Sequence, residues 1–280
     1  MIRAPVIDLP FGRDTSSTDR TPILDSWNPQ QYHRYADEQL RPAADLLARI
    51  PLEAPAVVYD LGCGSGKAAP LLAARWPGAR ITGVDSSPAM LAAAREAMPG
   101  FTFIEGNLST WSPPAPAELL FSNAALHWLD DHPRLFPRLM AQLKPGGMLA
   151  VQMPRNHDQP SHQEMLAAAE AGAWRTRLMP LLRPSPVAQP AVYYDLLRPL
   201  AARLDIWETT YLHELPGENP VAEWTKGTAL KPLLDALEGD ERRAFEAAYR
   251  ARVAEAYPPA ASGRTLFPFR RLFLIAEAKA

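Results

Sequence analysis

Cysteine is almost missing: Cys63 is the only one in 280 residues. A lone thiol excludes an internal disulfide framework and any zinc site built on several thiolates. Net charge is nearly absent as well. The 29 Lys and Arg and the 31 Asp and Glu leave −2, with a sequence pI near 6.3. That balance argues against bulk electrostatic capture of nucleic acid or of an anionic membrane, although a local basic pocket stays open. No apolar run approaches the ~18 residues that a membrane span needs. Residues 1–20 lack the apolar centre of a signal peptide. A soluble, cytoplasmic globular protein is expected, long enough to bury a full core.

Glycine is scarce beside proline, 15 against 30, and the prolines divide the chain. Residues 1–26 are polar and aperiodic and read as a poorly ordered arm. Between Trp27 and Ile50 the apolar positions Leu40, Ala43, Ala44, Leu46 and Leu47 recur at helical spacing, and Pro51 ends the run. No repeat of 20–50 residues is visible, which disfavours a solenoid. From residue 56 the rhythm changes. AVVYDL (56–61), ARITGVD (79–85), FTFIEG (101–106), ELLFSN (118–123) and MLAVQM (148–153) read as strands. Helices are predicted over Ala68–Trp76, from Ser87 through AMLAAAREAM, and over Leu135–Leu143. The second of these starts with a capping serine and a first-turn proline. Lys144–Gly147 reads as a turn.

Strands alternating with helices predict an α/β fold: a Rossmann-like, mostly parallel twisted sheet with helices on both faces. After Met153 the alternation stops. Segments 160–200 and 220–256 look helical, 205–215 alternates like a strand, and RRLFLIAEA (270–278) reads as a last strand. The expectation is a single domain over 27–280, with a ligand-binding core at about 55–153 and a helical cap inserted at about 160–200 and 220–256.

The sharpest local feature is Asp60-Leu61-Gly62-Cys63-Gly64-Ser65-Gly66, directly after the first strand. Glycines let the backbone bend steeply and approach a ligand where a Cβ would intrude, and they lead into a helix start that favours negative groups. The dinucleotide fingerprint G-x-G-x-x-G is not met, because residue 67 is Lys, and this disfavours a nicotinamide dehydrogenase. No G-K-[ST] ending follows, so a bound triphosphate is not expected. Asp85 closes the second strand 23 residues after Gly62, where a carboxylate can accept both hydroxyls of a ribose.

DLGCGSGK (60–67), VDSSPAML (84–91), Asn107 and the LKPGG turn (143–147) together resemble the class I S-adenosylmethionine-dependent methyltransferases over about 55–153. Further segments are similar to the branch of that family that esterifies trans-aconitate. They are WNPQQY (27–32), LRPAADLLARIP (40–51), LFSNAALHWLDDH (120–132), VYYDLL (192–197), DIWETTYLHELP (205–216) and FRRLF (269–273). The resemblance implies S-adenosyl-L-methionine as cofactor and S-adenosyl-L-homocysteine as product. It also implies roles for residues. Gly62, Cys63 and Gly64 pass under the methionyl part, with Asp60 orienting the loop. Asp85 holds the ribose. Ser86 and Met90 lie against the adenine, Asn107 and Leu108 at its edge, and Asn123 near the sulfonium. Family members often carry Asp where Asn107 stands, and an amide oxygen can still accept from the exocyclic amine.

The acceptor is read from what is absent and from which charges remain. A carboxylate has a pKa of about 4 and attacks without a base, so no catalytic acid or base is required. The [ND]-P-P-[YF] element of base methylation is replaced by Asn123-Ala124-Ala125-Leu126, and no basic–aromatic run supports single-stranded nucleic acid. A small polycarboxylate instead needs its other carboxylates neutralised, for which the arginine fork is suited. Arg271, Arg155, Tyr32, His127, Trp128, Tyr193 and Tyr194 are the candidate substrate contacts, with Arg183, Arg270, Tyr211 and His213 behind them. His157, His162 and Asp158 lack the spacing of a metal site on one element. Two other readings stay open: esterification of another small acid or of a malonyl thioester on an acyl carrier protein, and non-catalytic binding of S-adenosylmethionine.

Overall fold

The computed structural model describes residues 40–182 and 185–279. The arm 1–26, Trp27, Tyr32 and Arg183 lie outside the described residues. Chain order begins with α1 (Arg41–Ala48), β1 (Val57–Leu61), α2 (Ala69–Arg75), β2 (Arg80–Asp85), α3 (Pro88–Ala97), β3 (Thr102–Glu105) and β4 (Ala117–Asn123). A short 3-10 turn, Leu126–Trp128, precedes α4 (His132–Met140) and β5 (Leu143–Pro154). Then follow α5 (Pro160–Ala171), α6 (Arg175–Leu178), α7 (Pro190–Leu197), β6 (Ala201–Leu215), α8 (Pro220–Lys226), α9 (Lys231–Asp235), α10 (Gly239–Ala256) and β7 (Thr265–Ala278).

The seven strands form one sheet in the order β3-β2-β1-β4-β5-β7-β6. The first five run parallel, and β7 lies antiparallel between β5 and the edge strand β6. This is the mostly parallel sheet that the alternation of short apolar strands and helices predicts. Strand order reverses between β1 and β4. The loops after these two strands therefore diverge and leave a crevice at their carboxyl ends, which is where open α/β sheets bind ligands. Among the described residues no helix is long and apolar enough to cross a membrane.

Some boundaries differ from the expected ones. Helix α4 begins at His132 rather than Leu135, because Asp131 turns the chain in the left-handed region (φ +55°) and Pro133 supplies first-turn geometry. The Lys144–Gly147 turn is taken into β5 as an irregularity, and the register with β4 shifts between Ala117 and Leu119. Strand β7 starts at Thr265, not 270, and reaches past Pro154, where β5 ends. Pro268 pairs only with Leu212 of β6, because β5 has ended before it, and a proline is tolerated in a strand that has a neighbour on one side alone.

Of the apolar cores among the described residues, two frame the site. One joins the sheet to α4 and α7 and includes Leu61, Leu120, Phe136, Val151 and Leu274. The other unites α5, α6, α8, α9 and α10 around Phe245, Tyr249 and Val253, with Phe267 contributed by β7. Helix α7 lies within the segment read as cap, yet it packs on the first core. Tyr193 is the reason. It is fully buried, its ring meets Phe136 edge-on at 5.0 Å, and its hydroxyl is committed twice. His132 Nε2–H donates to the Leu126 carbonyl (3.0 Å), so its Nδ1 accepts from the Tyr193 hydroxyl (2.6 Å), which in turn accepts from Ala188 N–H (3.2 Å). Tyr193, read from the sequence as a substrate contact, is placed in the core with its hydroxyl already donating to His132 and accepting from Ala188. Replacing it by Phe removes one buried donor and leaves the Ala188 N–H without its acceptor. The expected loss is about 1–3 kcal/mol in urea unfolding, with the affinity for S-adenosylhomocysteine unchanged.

Candidate active site

Strand β1 ends in a bend fixed by a single carbonyl. Val84 O of β2 accepts N–H bonds from Gly62 (2.7 Å) and Cys63 (3.1 Å). Gly62 has φ +72°, and a Cβ there would stand 2.1 Å from the Cβ of Ala125 in the segment after β4. Only glycine fits. Gly64 (φ +53°) is different, since a Cβ on it would meet nothing within 4 Å. The backbone there is open to a ligand. The Cys63 thiol packs instead against Gly83, and burial first, then Asp60 and Asp85, push its pKa far above neutrality, so it is no nucleophile.

Asp85 ties the bend to the next helix. One carboxylate oxygen accepts from Gly64 N–H and the other from Ser87 N–H, both at 2.9 Å. Ser87 Oγ then caps α3 by accepting from Met90 N–H (3.4 Å). Ser86 is exposed, and the apolar Met90 is 49% exposed beside it. On the next strand end, Asn107 folds its own loop: Oδ1 accepts from Ser109 N–H (2.9 Å) and its carbonyl from Trp111 N–H (2.7 Å). Leu108 beneath it is buried.

Two polar atoms at this edge are buried without a hydrogen-bond partner: Asp60 Oδ2, near the end of β1, and Asn123 Oδ1, at the end of β4. Burial, and then the charge of Asp85, raise the Asp60 carboxyl to about 7. An unpaired buried acceptor is costly unless a donor arrives. The exposed backbone of Gly64, the paired Asp85 oxygens and these two acceptors fit an adenosyl sulfonium with an amino-acid tail.

Beyond Asn123 the chain turns through Ala124 (φ +54°) into the 3-10 turn that bears His127 and Trp128. Trp128 is 73% exposed and its ring lies 4.6 Å from that of His127. His127 Nδ1 is buried and has no partner. Burial foremost, then repulsion from His157, Arg271 and His132, lower its pKa to about 3, so it stays neutral.

Arg271 follows across β5. It is 8% exposed, packs over the Phe269 ring (4.6 Å) and the Tyr211 ring (5.8 Å), and donates a long bond to Gln152 Oε1 (3.5 Å). Its Nε is buried with no acceptor, and among the described residues no carboxylate pairs with it. Desolvation lowers its pKa to about 10, which keeps it cationic at neutral pH. Tyr211 is held by its O–H donated to Asp45 (2.6 Å).

The other expected contacts fall away. Arg155 is buried but pairs with Glu208 and lies 3.9 Å from Asp158. Arg270 pairs with that same Asp158 and donates to the Arg155 carbonyl (3.0 Å). The two arginines and two acids cancel, so Arg155 has no charge to offer a substrate. Tyr194 sits on α7, 51% exposed, and does not line the cavity next to His127. Gln152 was missed. Its signal was a lone amide in an otherwise apolar strand, and it is fully buried with Nε2 unpartnered.

A glycine bend and an acid on adjacent parallel strands, at the switch point of a sheet closed by an antiparallel strand, define a class I methyltransferase. Residues 58–147 match the family model described as a methyltransferase domain. The chain is 48% identical to a trans-aconitate 2-methyltransferase of Azoarcus sp. (strain BH72), over 90% of this chain and 99% of that one. It is 49% identical to a trans-aconitate 2-methyltransferase of Rhodopseudomonas palustris (strain BisB18), over 89% and 98%. The chain belongs to the trans-aconitate 2-methyltransferase family, and with it to the S-adenosylmethionine-dependent enzymes. Among solved structures, the YcgJ protein of Bacillus subtilis shares the fold, with a TM-score of 0.54 at 14% identity over 85% of this chain and 99% of that one.

The raised Asp60 has a signed consequence. Its folded pKa lies above the ordinary carboxyl value of 3.8, so the folded state holds the proton more tightly. That contribution to stability is full below the unfolded pKa and is lost as pH rises through about 7. Asp60→Asn should therefore flatten the decline in stability between these values and raise the melting temperature of the ligand-free protein at alkaline pH. Thermal unfolding across a pH series checks it.

Proposed function

We propose that this chain transfers a methyl group from S-adenosylmethionine to a carboxylate of trans-aconitate, giving a monomethyl ester and S-adenosylhomocysteine. The observation that carries the reading is Arg271: a buried cation with an unsatisfied Nε and no acidic partner among the described residues. A charge buried in this way is costly unless an anion joins it. A carboxylate of the acceptor is that anion. The names of the relatives point to the same acid.

Each residue then has a role. Gly62, Cys63 and Gly64 present backbone to the methionyl part, and Asp60 Oδ2 accepts from its ammonium. Asp85 uses its second lone pairs for the ribose hydroxyls. Ser86 and Met90 cover the adenine face, while Asn107 and Leu108 border its edge. Asn123 Oδ1 faces the sulfonium region. When bound, the donor supplies an electrophilic methyl group on sulfur. The acceptor carboxylate is ionised at neutral pH, so no residue has to remove a proton. What the protein contributes is alignment, which is worth up to roughly 7–11 kcal/mol in well-oriented reactions. Arg271 grips one end of the acid, and His127 with Trp128 closes over the reacting end. The acceptor is read as a free acid of the cytoplasm, neither nucleic acid nor lipid, in keeping with the net charge of −2.

Incubation with labelled donor and a panel of small di- and tricarboxylates, followed by mass spectrometry of the esters, tests the acceptor. Trans-aconitate should be esterified preferentially; a carrier-bound malonyl thioester preferred over it, or donor binding without transfer to any acid, overturns the reading. Asp85→Ala should abolish measurable donor binding in calorimetry. Arg271→Ala should raise the KM for the acid by about 10- to 100-fold, the span of a charged hydrogen bond, and leave donor affinity intact. Arg271→Lys should recover only part of that loss, because the fork geometry is gone.

A further inference from the structure

A cavity of about 240 Å³ opens beside His127, between the 3-10 turn, the residues after β5, α5 and α8. It is smaller than the ~300–1,000 Å³ of drug-sized pockets and suits a small acid. Most of its wall is apolar, from Trp128, Trp224 and Phe269, and into this wall project three imidazoles: His127, His157 and His162. The rings of His157 and His162 stand 4.7 Å apart. His157 is at the exposed mouth, and the other two are half-buried. His127 Nδ1 has no partner, and Arg271 approaches His127 closely enough to repel a proton from it.

We infer that this cavity receives the carboxylates that escape methylation, and that the His157–His162 pair takes up a proton as the acid enters and releases it as the ester leaves. The inference rests on the proposed acceptor being a polycarboxylate. Its logic is one of charge. At neutral pH the acid is multiply anionic, while among the described residues Arg271 is the cation beside His127 that has no acidic partner. The groups facing the imidazoles decide where more positive charge can form. Arg271, His132 and His157 face His127 and oppose its protonation. Asp158 borders both His157 and His162 and favours a proton there, although it is shared with Arg270 and Arg155. Asp130 lies on the rim. Burial lowers both imidazoles, and His157 adds to the effect on His162, which falls to about 4. An acceptor carboxylate within a few ångströms reverses that balance, and two imidazolium charges this close would repel, so one proton serves the pair. Esterification removes one negative charge from the acid, the proton is less firmly held, and the product is loosened.

Titration of trans-aconitate into protein saturated with S-adenosylhomocysteine, near pH 6, in buffers of different ionisation enthalpy, counts the proton. About one proton taken up per acid bound is expected. In His157→Gln/His162→Gln the count should fall to near zero and KM for the acid should rise about tenfold, while S-adenosylhomocysteine affinity stays the same. The exposed His157→Gln alone should lower the count and is the variant least prone to misfold. Esterification of trans-aconitate with no proton uptake by the wild type overturns this inference and leaves the acceptor assignment standing, as does a double variant with wild-type count and KM. Failure of the wild type to bind or esterify any polycarboxylate overturns both.

Discussion

The active edge depends on two backbone N–H groups held by one carboxylate. Asp85 accepts from Gly64 and from Ser87 at equal distance, and so fixes the bend after β1 relative to the start of α3. Val84 holds the other half of the same bend through its carbonyl. Three successive residues are thereby pinned between two parallel strands, and the segment after β4 can lie directly on Gly62 because no Cβ stands there. The loop is prepared before any ligand arrives, and binding does not have to order it. Asp85 is in this sense a structural residue first.

The acceptor side is organised by cancellation of charge. Arg155, Arg270, Asp158 and Glu208 lie within bonding distance of one another and close a neutral group at the junction of β5, β6 and β7. Arg271, the neighbour of Arg270 in sequence, points to the opposite face of β7, as alternation along a strand requires. One arginine of the Arg270-Arg271 pair is spent on the scaffold while the other, among the described residues, has aromatic rings and no acid beside it. The same alternation keeps Gln152 inside with Arg271, since the two sit on adjoining strands near Pro154.

Much of the fold was legible because its signals are local: apolar runs bounded by Pro and Gly, a cap before Pro88, a glycine bend after a strand. The donor edge was legible for the same reason, each residue lying at a strand end within the first half of the chain. The acceptor edge was harder. Arg155 and Arg271 look alike in sequence, and only the cross-strand pairing shows that Glu208 occupies the first and that no acid among the described residues occupies the second. Tyr193 and Tyr194 differ by one helical step, which puts one in the core and the other in solvent. The histidine cavity joins residues from five separated segments, and no spacing rule links them. The long reach of β7 was hidden by Pro268, which reads as a break until its position beyond the end of β5 is known.

Arg271 lies on β7, the strand last in the chain and inserted between β5 and the edge strand β6. A sheet closed in this way makes its most distant contacts in sequence at its final step, and such contacts form slowly. The glycine bend, Asp85 and Asn123 belong to the parallel strands that come earlier, and those strands can assemble while the remainder is still being synthesised. The bend after β1 can therefore form in a nascent chain before Arg271 reaches its place in the sheet.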